Sequence, residues 1–252
     1  MIRCLVGTSE WGGTRLALSA SETHYLLDVL RVEPGQDVRI FDGRGREAAA
    51  RFTGLCEGVA VLELGGIRQA AVPPTRFLLA PALIREQRMD WLIEKTTELG
   101  VFRICPLCAE RCVVRLAAEQ RPARRERWER IALGAARQCR TPWAPVIDLP
   151  RDVAAFLKDR AALGGPVLMA TIEGATTPLS AVLPALVASR PPTVTVMIGP
   201  EGDFTPAEAG TAREAGVTLV GLGERVLRAE TAAVHVASVL QYEWERTSNI
   251  EQ

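Results

Sequence analysis

The sequence predicts an α/β protein in which a small β-rich region precedes a larger domain built around a parallel sheet. From Thr75 onward, an apolar strand, a loop and a helix follow one another five times, which is typical of βα units. Upstream of residue 72 the chain instead shows short alternating strands. Pro73 and Pro74 separate the two patterns, because consecutive prolines force extended backbone and remove two amide donors. We therefore predict two domains, 1–72 and 73–252.

The first domain is predicted to be a small antiparallel sheet or barrel. The alternating segment 38–41 is followed by Asp42-Gly43, a pair that hairpin turns favour, and by a returning strand at 46–52. Residues 59–64 alternate again. A short helix is expected from Ser21, since the apolar positions 26, 27 and 30 lie on one helical face.

The second domain is predicted to alternate strands with helices. The expected strands are 77–80, 102–107, 166–170, 194–198 and 218–222. A helix over 86–99 places apolar residues on one stripe and is followed by Gly100, which suits a left-handed stop. Another helix begins at Thr205-Pro206, where Glu208 completes a capping box, and the last runs over about 231–245.

The composition excludes several classes of protein. With 252 residues, 48% of them hydrophobic and 24% charged, the chain is not a disordered, collagen-like or disulfide-scaffold protein. No run of eighteen apolar residues occurs, so no transmembrane segment is expected. The first residues lack the features of a secretion signal, which makes the cytoplasm the expected compartment.

The charge is balanced overall but unevenly distributed. Thirty basic and thirty acidic residues cancel, and lysine occurs only at Lys95 and Lys158, so arginine supplies nearly all positive charge. An arginine-rich run at 111–140 fits an RNA-facing surface, since guanidinium groups suit phosphate, or equally a solvated helix face in a genome that favours arginine codons. The candidate RNA-binding residues are Arg31, Arg124, Arg125, Arg137 and Arg140.

Two loops of the second domain have the composition of a ligand site. In parallel sheets, ligands bind beyond the carboxyl ends of the strands. The loop 199–204 combines glycines with Glu201 and Asp203, and the chain contains neither a P-loop nor a GxGxxG motif. A cationic cofactor without phosphate therefore fits better than a nucleotide polyphosphate, unless this is an ordinary strand-to-helix turn. The loop 222–232 adds Val226 and Leu227, which can wall an adenine ring.

Several segments of the sequence resemble those of a known family. GPEGDFT at 199–205, LGERVLRAETAA at 222–233, EKTTELGV at 94–101, ERCVVR at 110–115 and the amino-terminal HYLLDVLR with IFDG are similar to the RsmE family of 16S ribosomal RNA uracil-N3 methyltransferases. The resemblance implies a SPOUT-type fold: a Rossmann-like parallel sheet with a trefoil knot, preceded by a PUA-like β-barrel that binds RNA. It also implies a homodimer and S-adenosylmethionine as methyl donor.

Carried onto this chain, the resemblance implies a set of site residues. The cofactor pocket would comprise Ala170, Thr171, Glu173, Ile198, Gly199, Pro200, Glu201, Gly202, Leu222, Gly223, Val226, Leu227, Arg228, Thr231 and Ala232. The chain departs from the usual family pattern at Arg137, Asp203, Glu224 and Ala229.

The expected reaction is methylation of N3 of a uridine in 16S rRNA of the small ribosomal subunit. It requires loss of the imino proton and stabilisation of negative charge on the base, for which Arg228, Glu201 and Arg31 are the catalytic candidates. The alternatives are a non-catalytic RNA-binding protein with a degenerate SPOUT domain and a cysteine-ligated metal or redox protein.

Other chemistry-bearing residues receive structural interpretations. Cys105, Cys108 and Cys112 have a spacing that zinc sites use, but they lie on a predicted apolar strand, so we expect buried thiols and no metal. Trp91 and Trp128 are expected in the core, and Trp143 is the better candidate for stacking on RNA.

Overall fold

A computed structural model describes residues 2–8 and 11–248. It divides into two compact units: Met1–Val72 with Leu133–Ala144, and Pro73–Ala132 with Pro145–Gln252. None of the helices in the described ranges is long and apolar enough to cross a membrane.

The first unit contains a five-stranded mixed sheet. Its elements are β1 (Arg3–Leu5), β2 (Arg15–Ala17), α1 (Ala20–His24), β3 (Asp37–Phe41), β4 (Arg46–Cys56) and β5 (Val59–Gln69). The strand order is β1-β3-β4-β5-β2, in which β1 pairs parallel with β3 and the other pairs are antiparallel. Alternate residues such as Cys4, Ile40 and Phe52 face a buried cluster on one side, as the two-residue period of a strand requires.

The predicted hairpin turn is built around Asp42. Its Oδ1 accepts hydrogen bonds from the backbone amides of Arg44 (2.7 Å) and Arg46 (3.0 Å), and Gly43 and Gly45 adopt positive φ. The helix expected from Ser21 is shorter than its apolar pattern suggests: α1 ends at His24 and continues as one π-helical turn, Tyr25–Val29.

The first unit also includes a segment from far along the chain. Leu133, Ala136 and Ala144 pack with Leu5 and Phe41 in a small apolar cluster. The units divide between Val72 and Pro73, as the predicted domains do, but the prediction placed 133–144 in the second domain, whereas the structure places this segment in the first unit. The reason is packing on the outer face of the sheet, where Phe41 is fully buried, and no local sequence signal marks it.

The second unit is an α/β layer structure. Its strands are β6 (Arg76–Pro81), β7 (Arg103–Ile104), β8 (Leu107–Cys108), β9 (Val146–Ile147), β10 (Arg151–Asp152), β11 (Val167–Ala170), β12 (Thr177–Pro178), β13 (Thr193–Ile198) and β14 (Thr218–Gly221). Its helices are α2 (Glu86–Glu98), α3 (Arg121–Cys139, continuing into the first unit), α4 (Val153–Lys158), α5 (Leu179–Ala188), α6 (Pro206–Glu214) and α7 (Ala229–Ser248). Short 3-10 turns lie at Ala118–Gln120 and Arg160–Leu163.

A seven-stranded parallel sheet, ordered β12-β14-β11-β13-β6-β7-β9, forms the centre of this unit. Every residue of β11 and β13 is buried, which is typical of a parallel sheet covered on both faces. The predicted parallel α/β class is therefore confirmed. The strand predicted at 102–107 is divided into β7 and β8, and β8 pairs with β10 in a separate two-stranded sheet.

The predicted helix signals correspond to observed helix ends. Thr205 Oγ1 accepts a hydrogen bond from the Glu208 amide (3.2 Å), and Glu208 Oε2 accepts one from the Thr205 amide (2.9 Å), so the capping box at the start of α6 is confirmed. Gly100 adopts φ 76° beyond α2, as predicted. These ends fix the loops that lead from the strands into the helices.

Candidate functional site

The carboxyl ends of three adjacent strands form a cavity of about 450 Å³. The strands are β11, β13 and β14, and their last residues are close because Ala170 pairs with both Ile198 and Val220. The cavity is lined by Arg111, Ala170, Thr171, Ile172, Glu173, Thr176, Ile198, Gly199, Pro200, Glu201, Gly202, Asp203, Gly221, Leu222, Gly223, Arg225, Val226, Leu227, Ala229 and Ala232.

Most of the predicted cofactor residues line this cavity. The exceptions are Arg228 and Thr231, both exposed at the start of α7. The predicted cofactor set left out Arg111, Ile172, Thr176 and Gly221. It also left out Asp203, Arg225 and Ala229, although the sequence analysis placed these three in the two ligand loops. Arg111 lies in the ERCVVR segment, which contributed to the family resemblance but was given no function. Only the folded structure shows that the Arg111 side chain contacts loops about 60 to 90 positions later in the chain.

Asp203 joins two of the three loops. Its Oδ2 accepts hydrogen bonds from Thr171 Oγ1 (2.7 Å) and from the Ile172 amide (2.8 Å), and its Oδ1 accepts one from the Phe204 amide (2.8 Å). The residue adopts φ 58°, a left-handed conformation that aspartate tolerates better than most residues. We call Asp203, Thr171 and the Ile172 and Phe204 amides the Asp203 brace.

Arg111 joins the same two loops through its guanidinium group. Nη1 donates to the carbonyls of Gly202 (2.9 Å) and Phe204 (3.3 Å) and forms an ion pair with Glu173 Oε1 at 3.1 Å. The loops at 171–173 and 199–204 are thus connected by a carboxylate and by an arginine, which fixes the cavity wall before any ligand arrives.

Gly199 allows the backbone to approach this brace. A Cβ at this position would lie 2.7 Å from Asp203 Oδ1 and 3.1 Å from both Asp203 Cα and the Phe204 nitrogen. No side chain fits there without displacing the Asp203 brace. The glycine therefore exposes bare backbone to the cavity and leaves room for the carboxylate.

Glu201 is oriented by α2. Its Oε1 lies 3.4 Å from Arg88 Nη1, and Arg88 Nε lies 3.7 Å from Glu230 Oε1 at the start of α7. The Oε2 atom of Glu230 is buried without a hydrogen-bond partner among the described residues. The side chain of Glu201 is 29% exposed, so its carboxylate remains accessible at the cavity.

The remaining predicted site residues lie elsewhere. Arg31 belongs to the first unit, where it is exposed and adopts φ 54° after the π-helical turn. Arg140 is also exposed and adopts φ 65° beyond α3. Arg124 forms an ion pair with Glu86 (2.7 Å) and Arg125 with Glu129 (3.3 Å). Arg137 is ion-paired with Glu22 and lies 4.3 Å from the centre of the Tyr25 ring, with its side chain 19% exposed.

The tryptophans divide differently from the prediction. Trp128 is buried, as expected, but Trp91 is 43% exposed on the surface of α2, so its predicted core position is wrong. The helical spacing of the apolar residues in α2 did not show that Trp91 lies at the edge of the apolar stripe, on the side that faces solvent. Trp143 is half-buried: its Nε1 donates to the Ala71 carbonyl (3.2 Å), and its ring occupies the space where a Cβ of Gly45 would be.

The three closely spaced cysteines differ in burial: Cys105 and Cys112 are buried, and Cys108 is half-buried. Burial raises the pKa of Cys105, and its Sγ donates to Asp148 Oδ2 at 2.8 Å. Burial also raises the pKa values of Cys108 and Cys112. Within residues 2–8 and 11–248, no three His, Cys, Asp or Glu side chains are grouped to hold a metal ion.

Comparison with known proteins gives the family. The sequence profile described as the RNA methyltransferase domain matches residues 72–241, and the profile described as the RNA methyltransferase PUA domain matches residues 18–57. Together with the relatives described next, these matches show that the chain belongs to the RsmE family of RNA methyltransferases. The resemblance stated from its motifs is thereby confirmed.

Individual relatives of this RsmE-family chain match over most of their length. It is 29% identical to the ribosomal RNA small subunit methyltransferase E of Bacillus subtilis, covering 91% of this chain and 90% of that protein. It is 30% identical to the protein of the same name from Synechocystis sp., covering 91% and 74%. A solved ribosomal RNA small subunit methyltransferase E from Neisseria gonorrhoeae, bound to S-adenosyl methionine, matches with a TM-score of 0.85, 28% identity and coverage of 97% and 98%.

Proposed function

We propose that this protein transfers a methyl group from S-adenosylmethionine to N3 of a uridine in 16S rRNA of the small ribosomal subunit. The observation that carries the proposal is the braced cavity at the carboxyl ends of β11, β13 and β14, in a chain that belongs to the RsmE family of RNA methyltransferases. The relatives named above support the ribosomal substrate and the donor.

The cavity fits an adenosyl sulfonium compound in shape and in charge. Leu222, Val226 and Leu227 supply apolar walls, while Gly199 and Gly202 supply exposed backbone. Two carboxylates, Glu201 and Asp203, lie at its edge, and the three hydrogen-bond donors that Asp203 meets in the described part of the chain are uncharged. A sulfonium cation is favoured beside such a carboxylate by Coulomb attraction.

The chain's own residues perform two tasks in this reaction. S-adenosylmethionine, when bound, supplies an electrophilic methyl group. Glu201, held by Arg88, accepts the N3 proton of uracil, and Arg228, exposed at the start of α7, stabilises the negative charge that spreads onto the base oxygens. Arg31 orients the RNA. Because N3 lies on the pairing edge, the target base is unpaired or flipped out before it reacts.

Three features implied by the resemblance complete the proposal. The second unit forms a trefoil knot, as the resemblance implies, around a parallel sheet in which β11 lies between β14 and β13. The sheet of the first unit closes into a PUA-like barrel, which the match of the PUA profile to residues 18–57 supports. The enzyme works as a homodimer in the cytoplasm, where ribosomal subunits are assembled. Light scattering at micromolar concentration tests the dimer.

Transfer to ribosomal RNA is tested with undermethylated small subunits and donor carrying a labelled methyl group. We expect label in 16S rRNA, and a reverse-transcription stop at one uridine, because an N3-methyl group blocks pairing. Label without a stop would refute N3 as the acceptor. Absence of label, with donor binding intact by calorimetry, would refute the proposed substrate.

A further inference from the structure

The arginines of helix α3, which the sequence offers either as an RNA-facing surface or as a solvated helix face, are mostly ion-paired in the structure. Four of its six arginines form ion pairs with carboxylates: Arg124 with Glu86, Arg125 with Glu129, Arg127 with Glu86 and Asp90, and Arg137 with Glu22. Four carboxylates thus compensate four guanidinium groups. With Arg121 and Arg130 counted, the helix keeps an excess of two positive charges over these four carboxylates, but the arginines at 124, 125 and 127 are engaged in ion pairs.

The sheet of the first unit carries a comparable excess of positive charge, but gathers it around a single carboxylate. Arg3 on β1, Arg39 on β3 and Arg68 on β5 all pair with one carboxylate, Glu47 on β4, at 3.4, 3.3 and 2.7 Å. We call these four residues the Glu47 cluster. Within this cluster, three guanidinium groups around one carboxylate leave an excess of two positive charges.

The ion pair with Glu47 and the Phe41 ring, whose centre lies 4.5 Å from the guanidinium carbon, stabilise Arg3, but neither contact requires Arg39 beside it. Arg3 and Arg39 are direct cross-strand partners, and like charges placed opposite one another destabilise a sheet. The side chain of Arg3 is only 3% exposed, and its Nε has no hydrogen-bond partner among the described residues. Desolvation lowers the pKa of Arg3, and repulsion from Arg39 and Arg140 lowers it further, against the attraction of Glu47.

The cluster is accessible from one side. The side chain of Arg68 is 71% exposed and that of Arg39 is 36% exposed, whereas Arg3 and Glu47 form a buried floor. Arg140, exposed beyond the end of α3, belongs to the same unit and adds a further positive charge to it. Guanidinium groups bind phosphate oxygens in a bidentate manner, and several of them along one face suit a chain of phosphates.

We propose that the Glu47 cluster, with Arg140, is the surface that binds the phosphate backbone of the RNA substrate, in place of the arginines at the start of α3. The proposal rests on the proposed function for the identity of the polyanion. Arg39 and Arg68 make the phosphate contacts, and Glu47 holds them in position.

The experiment measures binding of fluorophore-labelled 16S rRNA transcript by anisotropy, over a salt range of about 50 to 200 mM. The test protein is the full chain carrying Arg39→Gln and Arg68→Gln together. Arg3 is left intact, because replacing a buried arginine would leave Glu47 buried and poorly compensated. We expect at least a tenfold loss of affinity. The slope of the logarithm of the binding constant against the logarithm of the salt concentration should become shallower by about one to two, because each phosphate contact that forms releases about 0.7 to 0.9 counterions and two contacts are removed.

Two control proteins make the result specific. Arg51→Gln lies on the same sheet, but Arg51 is paired with its own carboxylate, Asp37, at 2.9 Å, so we expect less than about a twofold change. The second control carries Arg124→Gln and Arg125→Gln together and tests whether the arginines of α3 contribute to RNA affinity; we expect a smaller loss than in the cluster variant. An unchanged affinity in the cluster variant, or an equal loss in the helix variant, would overturn the proposal.

Calorimetry with S-adenosylmethionine separates this inference from the proposed function. The cluster variant is expected to bind the donor as the unmodified protein does, because the cavity is lined by residues of the second unit alone. If the unmodified protein binds RNA through Arg39 and Arg68 but transfers no methyl group, the proposed function fails while the RNA surface stands.

Discussion

The Asp203 brace and the Glu47 cluster are both built around a single carboxylate, and they have opposite net charge. Asp203 accepts from a hydroxyl and two backbone amides, all uncharged, so its negative charge remains at the cavity. Glu47 meets three guanidinium groups, so positive charge remains on the sheet. The chain as a whole has a formal net charge of zero. The sign available to a ligand is therefore set by the type of donor around each carboxylate, which composition does not reveal.

The largest expected effect lies at the cavity, in Glu201→Gln. If Glu201 accepts the N3 proton, the amide removes the base while keeping the size of the side chain, and we expect kcat to fall by about 100-fold or more. The measurement is initial-rate methyl transfer to small subunits. The thermal midpoint and RNA affinity are expected to stay near their original values. A rate within about threefold of the original would remove Glu201 from the mechanism.

Gly199→Ala tests whether the brace shapes the cavity. The added methyl group would lie 2.7 Å from Asp203 Oδ1, which forces the brace apart. We expect the dissociation constant for S-adenosylmethionine to rise by about tenfold or more, or about 1.4 kcal/mol, while RNA affinity is retained. Gly66→Ala is the matched control, since its added methyl would have no atom within 4 Å. Equal donor affinity in both variants would show that the brace does not govern binding.

Asp203→Asn tests the charge of the brace with the smallest change of shape. Asparagine tolerates the left-handed conformation, so the fold is retained, but one acceptor and the negative charge are lost. We expect donor affinity to fall by about three- to tenfold, because hydrogen bonds to an ionised group are about twice as strong as neutral ones. S-adenosylhomocysteine, which lacks the sulfonium charge, should lose less. An equal loss for both ligands would contradict the electrostatic part of the argument.

The sequence predicts the second unit well because its signals are local. Thr205, Pro206 and Glu208 define the start of α6 through hydrogen bonds within one turn, and the apolar runs of β11 and β13 suffice for buried parallel strands. The glycine-containing loops that line the cavity follow directly from those strands. Prediction of the pocket residues therefore needed little beyond the strand ends and the family resemblance.

What the sequence does not predict depends on contacts between distant positions. Arg111 reaches Gly202 and Phe204, and Asp203 reaches Thr171, across loops that no local pattern connects. The pairing of the α3 arginines is likewise invisible, because Glu86 and Glu22 lie far from Arg124 and Arg137 in the chain. A run of arginines in a sequence therefore indicates positive charge without showing how much of it is free.

The return of Leu133–Ala144 to the first unit affects how this protein can be dissected. A fragment ending at Val72 would keep every strand of the first sheet but lose Ala136 and Ala144, and so would expose the ring of Phe41 to water. The two halves of the chain are interleaved in sequence even though each is compact in space. To express the first unit alone, the segment Leu133–Ala144 would have to be fused to residues 1–72. Simple truncation would leave an apolar face of the sheet exposed and prone to aggregation.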